Sequence, residues 1–379
     1  MSVGPIGVLG AGTMGAGIAQ VAALGGYETR LYDAVPAAAR AGAARLGEAL
    51  ASGVARGRWS EAEAETAAAR VEPVAALAQL AGCPLLIEAA PEDLELKRAL
   101  FAEAAAACGA DTVLATNTSS LRVAEIGVGV PGPERLVGMH FFNPPALMKL
   151  VEVVATAESS ERALALATEV ARGMGRTPIR AKDSPGFVAN RLARPFFLES
   201  LRMLEAGVAD AATIDRAVRG EGFRMGPFEL VDLIGLDVNL EVARSFYRQG
   251  GEPERWRPSP IQERLVAAGR LGRKSGAGYY SYPRPEDEEE AEPPAEIVPR
   301  LYAQIANEAA FALEEEIGAP ADMDTAMRLG FNWPRGPLEI TGLLGAERVV
   351  EILERLRAER GHAYTPAPLL VAEAKGEMG

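Results

Sequence analysis

A strand, a glycine-rich turn and a helix follow one another at the start of the chain, and this order restricts the fold more than any other feature. A predicted strand at residues 5–9 and a predicted helix at residues 16–24 flank the turn Gly10-Ala11-Gly12-Thr13-Met14-Gly15. The first glycine would permit a tight turn, the second a close approach of the backbone to a pyrophosphate, and the third close packing of the helix on the strand. The combination predicts the first βα unit of a doubly wound parallel sheet, with a dinucleotide at the helix N-terminus.

An aspartate at the end of the second predicted strand refines this prediction. Residues 29–33 form that strand, and Asp33 follows Gly10 at close to the spacing of about 20 residues expected for a ribose-binding acid. Its carboxylate would accept hydrogen bonds from ribose hydroxyls and repel a 2′-phosphate, and residues 34–36 provide no arginine to bind one. The predicted cofactor is therefore NAD and not NADP. A glycine turn in another α/β fold, with an unrelated aspartate, is the open alternative.

Strands and helices continue to alternate after this unit. Predicted strands at residues 84–88 and 112–116 enclose a predicted helix. This alternation predicts a parallel sheet, in which ligands gather beyond the C-terminal ends of the strands. Asn117 and Ser119 follow the second of these strands, so both are candidate ligand-binding residues. Asparagine and serine are also common in loops and helix caps, and a cap for the next helix is the alternative.

His140 is the candidate catalytic residue. It is one of only two histidines and lies in a predicted strand at residues 136–142, while Glu152 lies in the next predicted strand, residues 150–154. Imidazole gains and loses a proton near neutral pH, and an adjacent carboxylate fixes its tautomer and favours the imidazolium. If the two strands pair, Glu152 would lie against His140, which could then act as a general base. A buried histidine hydrogen-bonded to the backbone is the alternative.

Charge and cysteine usage argue against several functions. The net charge of −13 disfavours nucleic acid or an anionic membrane surface as a partner, because both require a basic face. No stretch approaches the roughly 18 apolar residues of a membrane span, and no signal peptide is recognised. Cys83 and Cys108 have neither disulfide nor metal-ligand spacing. We therefore predict no metal site and expect a reducing, cytoplasmic compartment.

The second half of the chain is predicted to be helical and contains a repeat. Residues 335–345 echo residues 225–235, and residues 323–327 echo residues 214–218, both at an offset of about 110 residues. A proline-rich acidic segment between the copies is predicted to be an exposed linker. The sequence thus predicts an α/β domain, a helical domain, the linker and a degenerate helical copy at residues 1–183, 184–282, 283–295 and 296–379, respectively.

Five blocks of the sequence resemble the L-3-hydroxyacyl-CoA dehydrogenase family and occur in family order. They are the glycine turn with Gly17, Glu88-Ala89 with Glu92 and Lys97, Asn117-Thr118-Ser119-Ser120, His140-Phe141-Phe142-Asn143-Pro144 with Glu152, and Asp183-Ser184-Pro185-Gly186-Phe187-Val188-Ala189-Asn190-Arg191. The resemblance implies an α/β Rossmann-type doubly wound N-terminal domain followed by all-α C-terminal domains in tandem. It also implies NAD-dependent, reversible oxidation of an L-3-hydroxyacyl-CoA to the 3-oxoacyl-CoA.

The resemblance also implies roles for individual residues. His140 would be the general base and Glu152 its orienting partner, while Ser119 and Asn190 would bind the 3-oxygen of the substrate. The implied cofactor-binding residues are Gly10, Gly12, Thr13, Met14, Gly15, Asp33, Glu92, Lys97, Asn117 and Asn143. The chemistry is consistent with this set, because hydride removal from an alcohol carbon needs one base for the hydroxyl proton and no metal.

The coenzyme A end departs from the family pattern. The family has a serine and a lysine in the helical region after Asp33, and these align with Ala49 and Arg56. Arg56 could still bind a phosphate of the substrate, but the hydroxyl at position 49 is missing. Two alternatives therefore stay open. One is a dehydrogenase of a free hydroxy or sugar acid, similar to the gulonate dehydrogenases, and the other is a non-catalytic nucleotide-binding protein.

The second helical copy is predicted to have a structural role. Pro299 aligns with Asn190, and no second glycine turn accompanies the copy. In shorter members of the family, the helical domains of two subunits pack together, so a tandem copy would provide this packing within one chain. We therefore predict either a monomer with an intrachain pseudo-dimer or a homodimer. Partnership with an enoyl-CoA hydratase is a further expectation, and the length of the acyl group is left open.

Overall fold

The structure of the protein is a computed structural model that describes residues 4–283 and 292–377. The chain divides into two compact units, Met1–Phe187 and Val188–Gly379. The boundary lies close to the predicted end of the α/β domain at residue 183. Both predicted helical domains fall within the second unit, and most of the predicted linker at 283–295 lies outside the described residues. The predicted division into four parts stays a prediction.

Eight strands form one sheet in the first unit. Their bounds are β1 Ile6–Leu9, β2 Thr29–Tyr32, β3 Val71–Val74, β4 Leu85–Glu88, β5 Val113–Thr116, β6 Leu136–Phe141, β7 Leu150–Ala155 and β8 Thr177–Lys182. The order across the sheet is β3-β2-β1-β4-β5-β6-β7-β8. The first six positions reproduce the strand order of the doubly wound nucleotide-binding fold, which confirms the predicted fold class.

Six helices of the first unit accompany this sheet. Their bounds are α1 Thr13–Leu24, α2 Pro36–Ala55, α3 Glu61–Ala69, α4 Leu94–Cys108, α5 Val123–Ile126 and α6 Glu161–Gly173. Side chains cap several of them, since Ser60, Asp93 and Ser160 each accept a backbone N–H of the first helical turn. The glycine turn leads into α1 as predicted, so the helix N-terminus lies next to the end of β1.

The sheet contains one antiparallel pair, β6 with β7, among otherwise parallel neighbours. Residues 142–149 connect these two strands. A parallel connection needs about a dozen residues or more, so a linker of this length reverses the chain direction. The central strands β1, β4 and β5 are buried along their whole length. Their apolar side chains, with those of α1, form the core that fixes the ends of the strands.

The described part of the second unit is mainly helical, with two isolated β-bridges, Gly272 with Ala277 and Ala277 with Ser281. Its helices are α7 Ala189–Leu192, α8 Arg194–Glu205, α9 Ala211–Gly220, α10 Pro227–Ile234, α11 Leu236–Gln249, α12 Pro260–Ala267, α13 Ile297–Glu314, α14 Pro320–Gly330, α15 Pro337–Leu344, α16 Ala346–Arg360 and α17 Pro368–Ala374. Among residues 4–283 and 292–377, no helix has the length and apolarity needed to cross a membrane.

The two helical copies have matching local structure. Helices α10 and α15 both begin after a glycine, Gly226 or Gly336, with proline as the first helical residue. In each copy an aspartate of the preceding helix accepts N–H groups of that first turn, Asp215 in one and Asp324 in the other. A Cβ at either glycine would lie within 2.3 Å of that aspartate. The internal repeat read from the sequence is therefore reproduced by the same capping contacts.

Buried ion pairs join the two copies reciprocally. The alignment that places Pro299 over Asn190 also places Arg300 over Arg191 and Glu308 over Glu199. Arg191 Nε lies 2.8 Å from Glu308 Oε1, and Arg300 pairs in the opposite sense with Glu199. All four side chains are at most 3% exposed. Each copy thus supplies the arginine for one pair and the carboxylate for the other.

The carboxylates of these two pairs accept further hydrogen bonds, whereas Arg300 Nη1 is buried without a partner in the described structure. The indole Nε1 of Trp256 donates to Glu308 at 3.0 Å, and the hydroxyl of Tyr364 donates to Glu199 at 3.2 Å. Buried charges are tolerated only when their remaining polar atoms are also satisfied. The two carboxylates meet this condition because each accepts hydrogen bonds from an aromatic side chain as well as from an arginine.

We predict that Glu308→Ala lowers the free energy of unfolding of the helical unit by about 1–3 kcal/mol, because Arg191 Nε, Arg255 Nε and Trp256 Nε1 lose their common acceptor, while Arg191 keeps Glu315 as its second carboxylate. Urea unfolding followed by circular dichroism would measure the change. Glu351→Ala is the control, since its partner Arg348 is exposed, and it should cost less than about 1 kcal/mol. Equal losses for the two variants would contradict the assignment of the buried pair.

Candidate active site

His140 and Glu152 form a buried pair on neighbouring strands. The antiparallel register of β6 and β7 sets the two residues directly opposite each other. The His140 Nδ1 and Glu152 Oε2 atoms are 2.6 Å apart, with Glu152 fully buried and His140 5% exposed. The proximity predicted from the sequence is therefore confirmed. A carboxylate at Nδ1 places the ring proton there and leaves Nε2 as the nitrogen that can accept another proton.

Aromatic side chains of the same unit surround the imidazole. The ring centroid of Phe142 lies 4.5 Å from that of His140, and the centroid of Phe187 lies 5.8 Å away. Both phenylalanines are buried. Apolar surroundings exclude water and strengthen the interaction of the imidazole with the Glu152 carboxylate.

Asn117 connects the end of β5 to the strand that carries His140. The side-chain Oδ1 of Asn117 accepts the backbone N–H of Phe141 at 2.8 Å, and the backbone N–H of Asn117 donates to the carbonyl of Glu88 at 2.8 Å. The side chain thus fixes the residue that follows the histidine. The sequence pointed to Asn117 as a cofactor-binding residue, which stays a prediction, and gave no signal for this bond to the backbone.

Glu92 organises the loop that carries Ser119. Its Oε1 accepts hydrogen bonds from the Thr118 hydroxyl at 2.6 Å and from the backbone N–H groups of Ser119 and Ser120 at 2.9 and 3.0 Å. Burial opposes ionisation of Glu92, but the Lys97 ammonium and these hydrogen bonds outweigh it and lower its pKa. Glu92 is therefore a carboxylate at neutral pH. The Ser119 side chain is exposed on the loop that Glu92 holds.

Lys97 lies behind this loop and is fully buried. Its ammonium is 2.6 Å from Glu88 Oε1, 3.4 Å from Glu92 Oε2 and 3.2 Å from the carbonyl of Ala90. The second oxygen of Glu88 accepts the hydroxyl of Thr116 at 2.6 Å. The sequence gave no role to Glu88 beyond the family pattern. The geometry supports a positioning role for Lys97, and its direct contact with a cofactor stays a prediction.

The glycines of the turn after β1 have different surroundings. A Cβ at Gly15 would lie 1.8 Å from the carbonyl oxygen of Gly10, and Gly10 itself has a φ of +97°. These two positions therefore require glycine for the fold. Gly12 is exposed, and a Cβ there would meet nothing within 4 Å. The protein itself leaves open the space that a pyrophosphate needs.

Asp33 lies against this turn. Its Oδ2 accepts the backbone N–H of Ala11 at 2.9 Å and its Oδ1 accepts that of Val35 at 3.0 Å. The exposed Thr13 and the partly exposed Met14 begin α1, whose N-cap, Gly12, offers no side-chain hydrogen bond. An uncapped helix N-terminus beside a carboxylate that can bind ribose fits a dinucleotide with an unphosphorylated ribose.

A cavity of about 300 Å³ lies between α1, α2 and the loop after β6. Ala49 and Arg56 line it, as their alignment with the coenzyme A residues of the family predicts. The sequence analysis missed five other lining residues that share a polar or aromatic character, namely Gln20, Arg45, Ser52, Arg58 and Trp59. The helical spacing of the sequence could have revealed those on α2, because residues 45, 49, 52 and 56 are three or four apart and share one face of that helix.

Two contacts shape this cavity. The guanidinium of Arg45 donates to the carbonyl of Ala11 in the glycine turn. The indole of Trp59 lies against Gly53, where a Cβ would approach it to 1.8 Å, and its Nε1 donates to the carbonyl of Leu50 at 2.8 Å. Ser52 supplies a hydroxyl one helical turn beyond Ala49. The missing serine therefore does not leave the cavity without a hydroxyl.

Two predicted residues lie outside these clusters. Asn143 is exposed on the loop between β6 and β7, and Asn190 is half-buried in α7 of the second unit. Their predicted roles stay predictions. Among residues 4–283 and 292–377, no group of three or more His, Cys, Asp and Glu side chains could hold a metal ion.

Comparison with known proteins gives matches along the whole chain. The family model described as "3-hydroxyacyl-CoA dehydrogenase, NAD binding domain" matches residues 5–184, and the model of the C-terminal domain of that family matches residues 186–282 and 297–377. A protein of Escherichia coli named 3-hydroxyadipyl-CoA dehydrogenase is 35% identical, over 100% of this chain and 99% of that protein.

Solved structures give the same result. A crystal structure titled 3-hydroxybutyryl-CoA dehydrogenase from Escherichia coli superposes with a TM-score of 0.94 at 34% identity, covering 100% of this chain and 99% of that one. The structure of (S)-3-hydroxybutyryl-CoA dehydrogenase from Ralstonia eutropha covers 75% of this chain and 100% of its own, with a TM-score of 0.72 and 34% identity.

Fold, glycine turn and the matched relatives together define an NAD-dependent oxidoreductase. The chain belongs to the 3-hydroxyacyl-CoA dehydrogenase family. Its activity is the NAD-dependent interconversion of 3-hydroxyacyl-CoA and 3-oxoacyl-CoA. Three features of this chain would hold the NAD. They are the open surface at Gly12, the uncapped N-terminus of α1 and the carboxylate of Asp33.

We predict opposite effects of alanine at two glycines of the turn. Gly12→Ala should leave the melting temperature unchanged but weaken NADH binding at least about fivefold, because the added methyl group fills the approach to the pyrophosphate. Gly15→Ala should destabilise the fold by about 1–3 kcal/mol or more, because its Cβ overlaps the Gly10 carbonyl. Fluorescence titration with NADH and thermal denaturation would measure the two effects. Unchanged NADH affinity in Gly12→Ala would overturn this assignment.

Proposed function

We propose that His140 is the general base for the oxidation of an L-3-hydroxyacyl-CoA and that Glu152 is its positioning partner. The observation that carries this proposal is the 2.6 Å contact between His140 Nδ1 and Glu152 Oε2 within a nearly dry environment. A neutral imidazole with its proton held at Nδ1 offers Nε2 to a hydroxyl group. The pair is therefore suited to proton removal from a secondary alcohol at neutral pH.

In this scheme His140 accepts the proton of the substrate hydroxyl, and Glu152 stabilises the charge that results. The hydroxyl proton of the substrate passes to His140 Nε2 as the O–H bond breaks and the carbonyl forms. Bound NAD supplies the hydride acceptor. The carboxylate of Glu152 stabilises the imidazolium so produced, because opposite charges at short distance in an apolar site attract strongly. In the reverse direction, the imidazolium returns the proton to the carbonyl oxygen.

Two further side chains are proposed to bind the oxygen of the substrate. Ser119 presents an exposed hydroxyl on a loop that Glu92 holds by several hydrogen bonds, so its position is fixed before the substrate binds. Asn190 presents an amide from the second unit. Each would donate a hydrogen bond to the 3-oxygen, where negative charge develops during reduction of the ketone. Lys97 would contribute indirectly, through the loop that it supports with Glu92.

We also propose that the cavity along α2 binds the coenzyme A part of the substrate. Arg45, Arg56 and Arg58 line it in a chain whose net charge is −13, and Ser52 replaces the hydroxyl that is absent at Ala49. Clustered guanidinium groups bind phosphates through paired N–H donors. This set supports a CoA thioester over the alternative of a free hydroxy or sugar acid, which carries no phosphate for these residues.

The reciprocal ion pairs of the helical unit support a monomer that contains its own pseudo-dimer. The pairs Arg191–Glu308 and Arg300–Glu199 satisfy each copy within one chain. Light scattering should then give the mass of one chain, and a stable dimer would count against this proposal.

A fatty acid oxidation complex subunit alpha from Idiomarina loihiensis is 34% identical, over 97% of this chain and 54% of that protein. This relative supports, as a proposal, partnership with an enoyl-CoA hydratase.

We predict that His140→Gln lowers kcat for acetoacetyl-CoA reduction by about 10²–10⁴-fold, the usual contribution of a general acid or base. NADH binding should be unchanged, because the glycine turn and Asp33 are untouched. Glu152→Gln should lower kcat less, since the imidazole is retained. Activity would be followed by NADH absorbance. A His140→Gln enzyme with the kcat of the parent protein would refute the assignment of the base.

We predict that Arg56→Gln raises the KM for acetoacetyl-CoA about tenfold, the effect of losing one charge-assisted hydrogen bond to phosphate. The KM for acetoacetyl-pantetheine, which has no nucleotide phosphates, should not change. Arg40→Gln on the same helix is the control, because Arg40 does not line the cavity. Reduction of free acetoacetate as efficiently as the thioesters would favour the free-acid alternative.

A further inference from the structure

Arg194 is a buried cation that pairs with no carboxylate among residues 4–283 and 292–377. It is the first residue of α8 and is 4% exposed. Its Nε lies 3.4 Å from the carbonyl oxygen of Asn190, and its Nη1 is buried without a hydrogen-bond partner in the described structure. The buried arginines Arg191 and Arg300 differ because each pairs with a glutamate, although Arg300 Nη1 is also buried without a hydrogen-bond partner in the described structure.

Aromatic rings only partly replace the missing carboxylate. The guanidinium carbon of Arg194 lies 5.1 Å from the ring centroid of Phe197 and 5.3 Å from that of Phe246. Such contacts attract the charge but do not satisfy its N–H donors. Burial lowers the pKa of Arg194 to about 10, so the group remains charged at neutral pH. Holding a cation in this state is unfavourable unless an anion arrives to pair with it.

The degenerate copy indicates that the helical fold does not need this charge. The alignment that places Pro299 over Asn190 places Ala303 over Arg194. Ala303 is fully buried in α13, at the equivalent position of the equivalent helix. The copy that lacks the asparagine therefore also lacks the arginine. The two residues occur together only in the copy that is proposed to bind the substrate.

Spacing links the arginine to the proposed oxygen-binding residue. Arg194 follows Asn190 by four residues. Helix α7 ends at Leu192 and α8 begins at Arg194, and Ala193 between them has helical φ and ψ angles of −77° and −17°. Residues four apart lie on one helix face, separated by about one 5.4 Å pitch. If the 3-oxygen of an acyl chain contacts Asn190, the carbons beyond C3 could run along the helix from Asn190 towards Arg194. A charged group at the end of such a chain could reach the guanidinium.

We propose that Arg194 binds a carboxylate at the far end of the acyl group, so that the substrate is the CoA thioester of a 3-hydroxy dicarboxylic acid. This inference rests on the proposed contact of Asn190 with the 3-oxygen. The phosphates of the cofactor and of coenzyme A have their own proposed sites at the glycine turn and along α2. The acyl end is the remaining part of the reactants that can supply an anion to the helical unit.

The test compares two thioesters of equal length, 3-oxoadipyl-CoA and 3-oxohexanoyl-CoA, which differ in whether the chain ends in a carboxylate or a methyl group. The parent enzyme should reduce the first with a kcat/KM at least about tenfold higher, the effect of one charge-assisted hydrogen bond. Arg194→Met should abolish this preference by lowering kcat/KM for 3-oxoadipyl-CoA, without a loss for 3-oxohexanoyl-CoA. Arg194→Lys should retain part of the preference.

Arg244→Met serves as the control, since it removes a cation from α11 whose partner Glu263 is on the half-exposed surface. It should leave the ratio of the two kcat/KM values unchanged. Equal values for the two thioesters in the parent enzyme, or an equal loss for both in Arg194→Met, would overturn the inference. If Arg194→Met does not fold, the parent enzyme and Arg194→Lys decide the question. A parent enzyme that reduces no thioester would instead refute the proposed function.

Discussion

The antiparallel pairing of β6 with β7 is the constraint on which the candidate site depends. It sets His140 opposite Glu152, and the buried apolar residues of β7 fix this register, because a shift of β7 by one residue would turn its side chains, including Glu152, to the other face of the sheet. Asn117 secures the backbone at Phe141, next to the histidine. His140, the carboxylate that contacts it and the ends of the parallel strands are thus held by the same sheet.

Features that depend on local sequence were predictable. The glycine turn and the strands with continuous apolar runs are encoded by neighbouring residues, and the structure has them where the sequence places them. Strand β3 was missed because it contains Glu72 and Pro73 and lies at the edge of the sheet, where polar residues and proline are tolerated. Strand β8 was missed for a similar reason, since both of its terminal residues are exposed.

Contacts between residues far apart in sequence could not be predicted in the same way. The alignment of Ala49 with a family serine indicated a missing hydroxyl, whereas Ser52 on the same face of α2 supplies one to the cavity. The role of Glu92 as the acceptor of several N–H and O–H groups of the Ser119 loop depends on how two strand ends approach each other. The pairing of Arg191 with Glu308 spans 117 residues, and only the folded helices reveal it.

The covalent joining of the two helical copies has a consequence for how they vary. In an assembly of identical subunits, any substitution appears on both sides of the interface. Here one half carries Asn190 and Arg194 while the other carries Pro299 and Ala303, although their ion pairs are equivalent. The tether also keeps each half at a fixed effective concentration relative to its partner, so the interface does not weaken on dilution. The two halves are therefore free to diverge in sequence while their interface is kept.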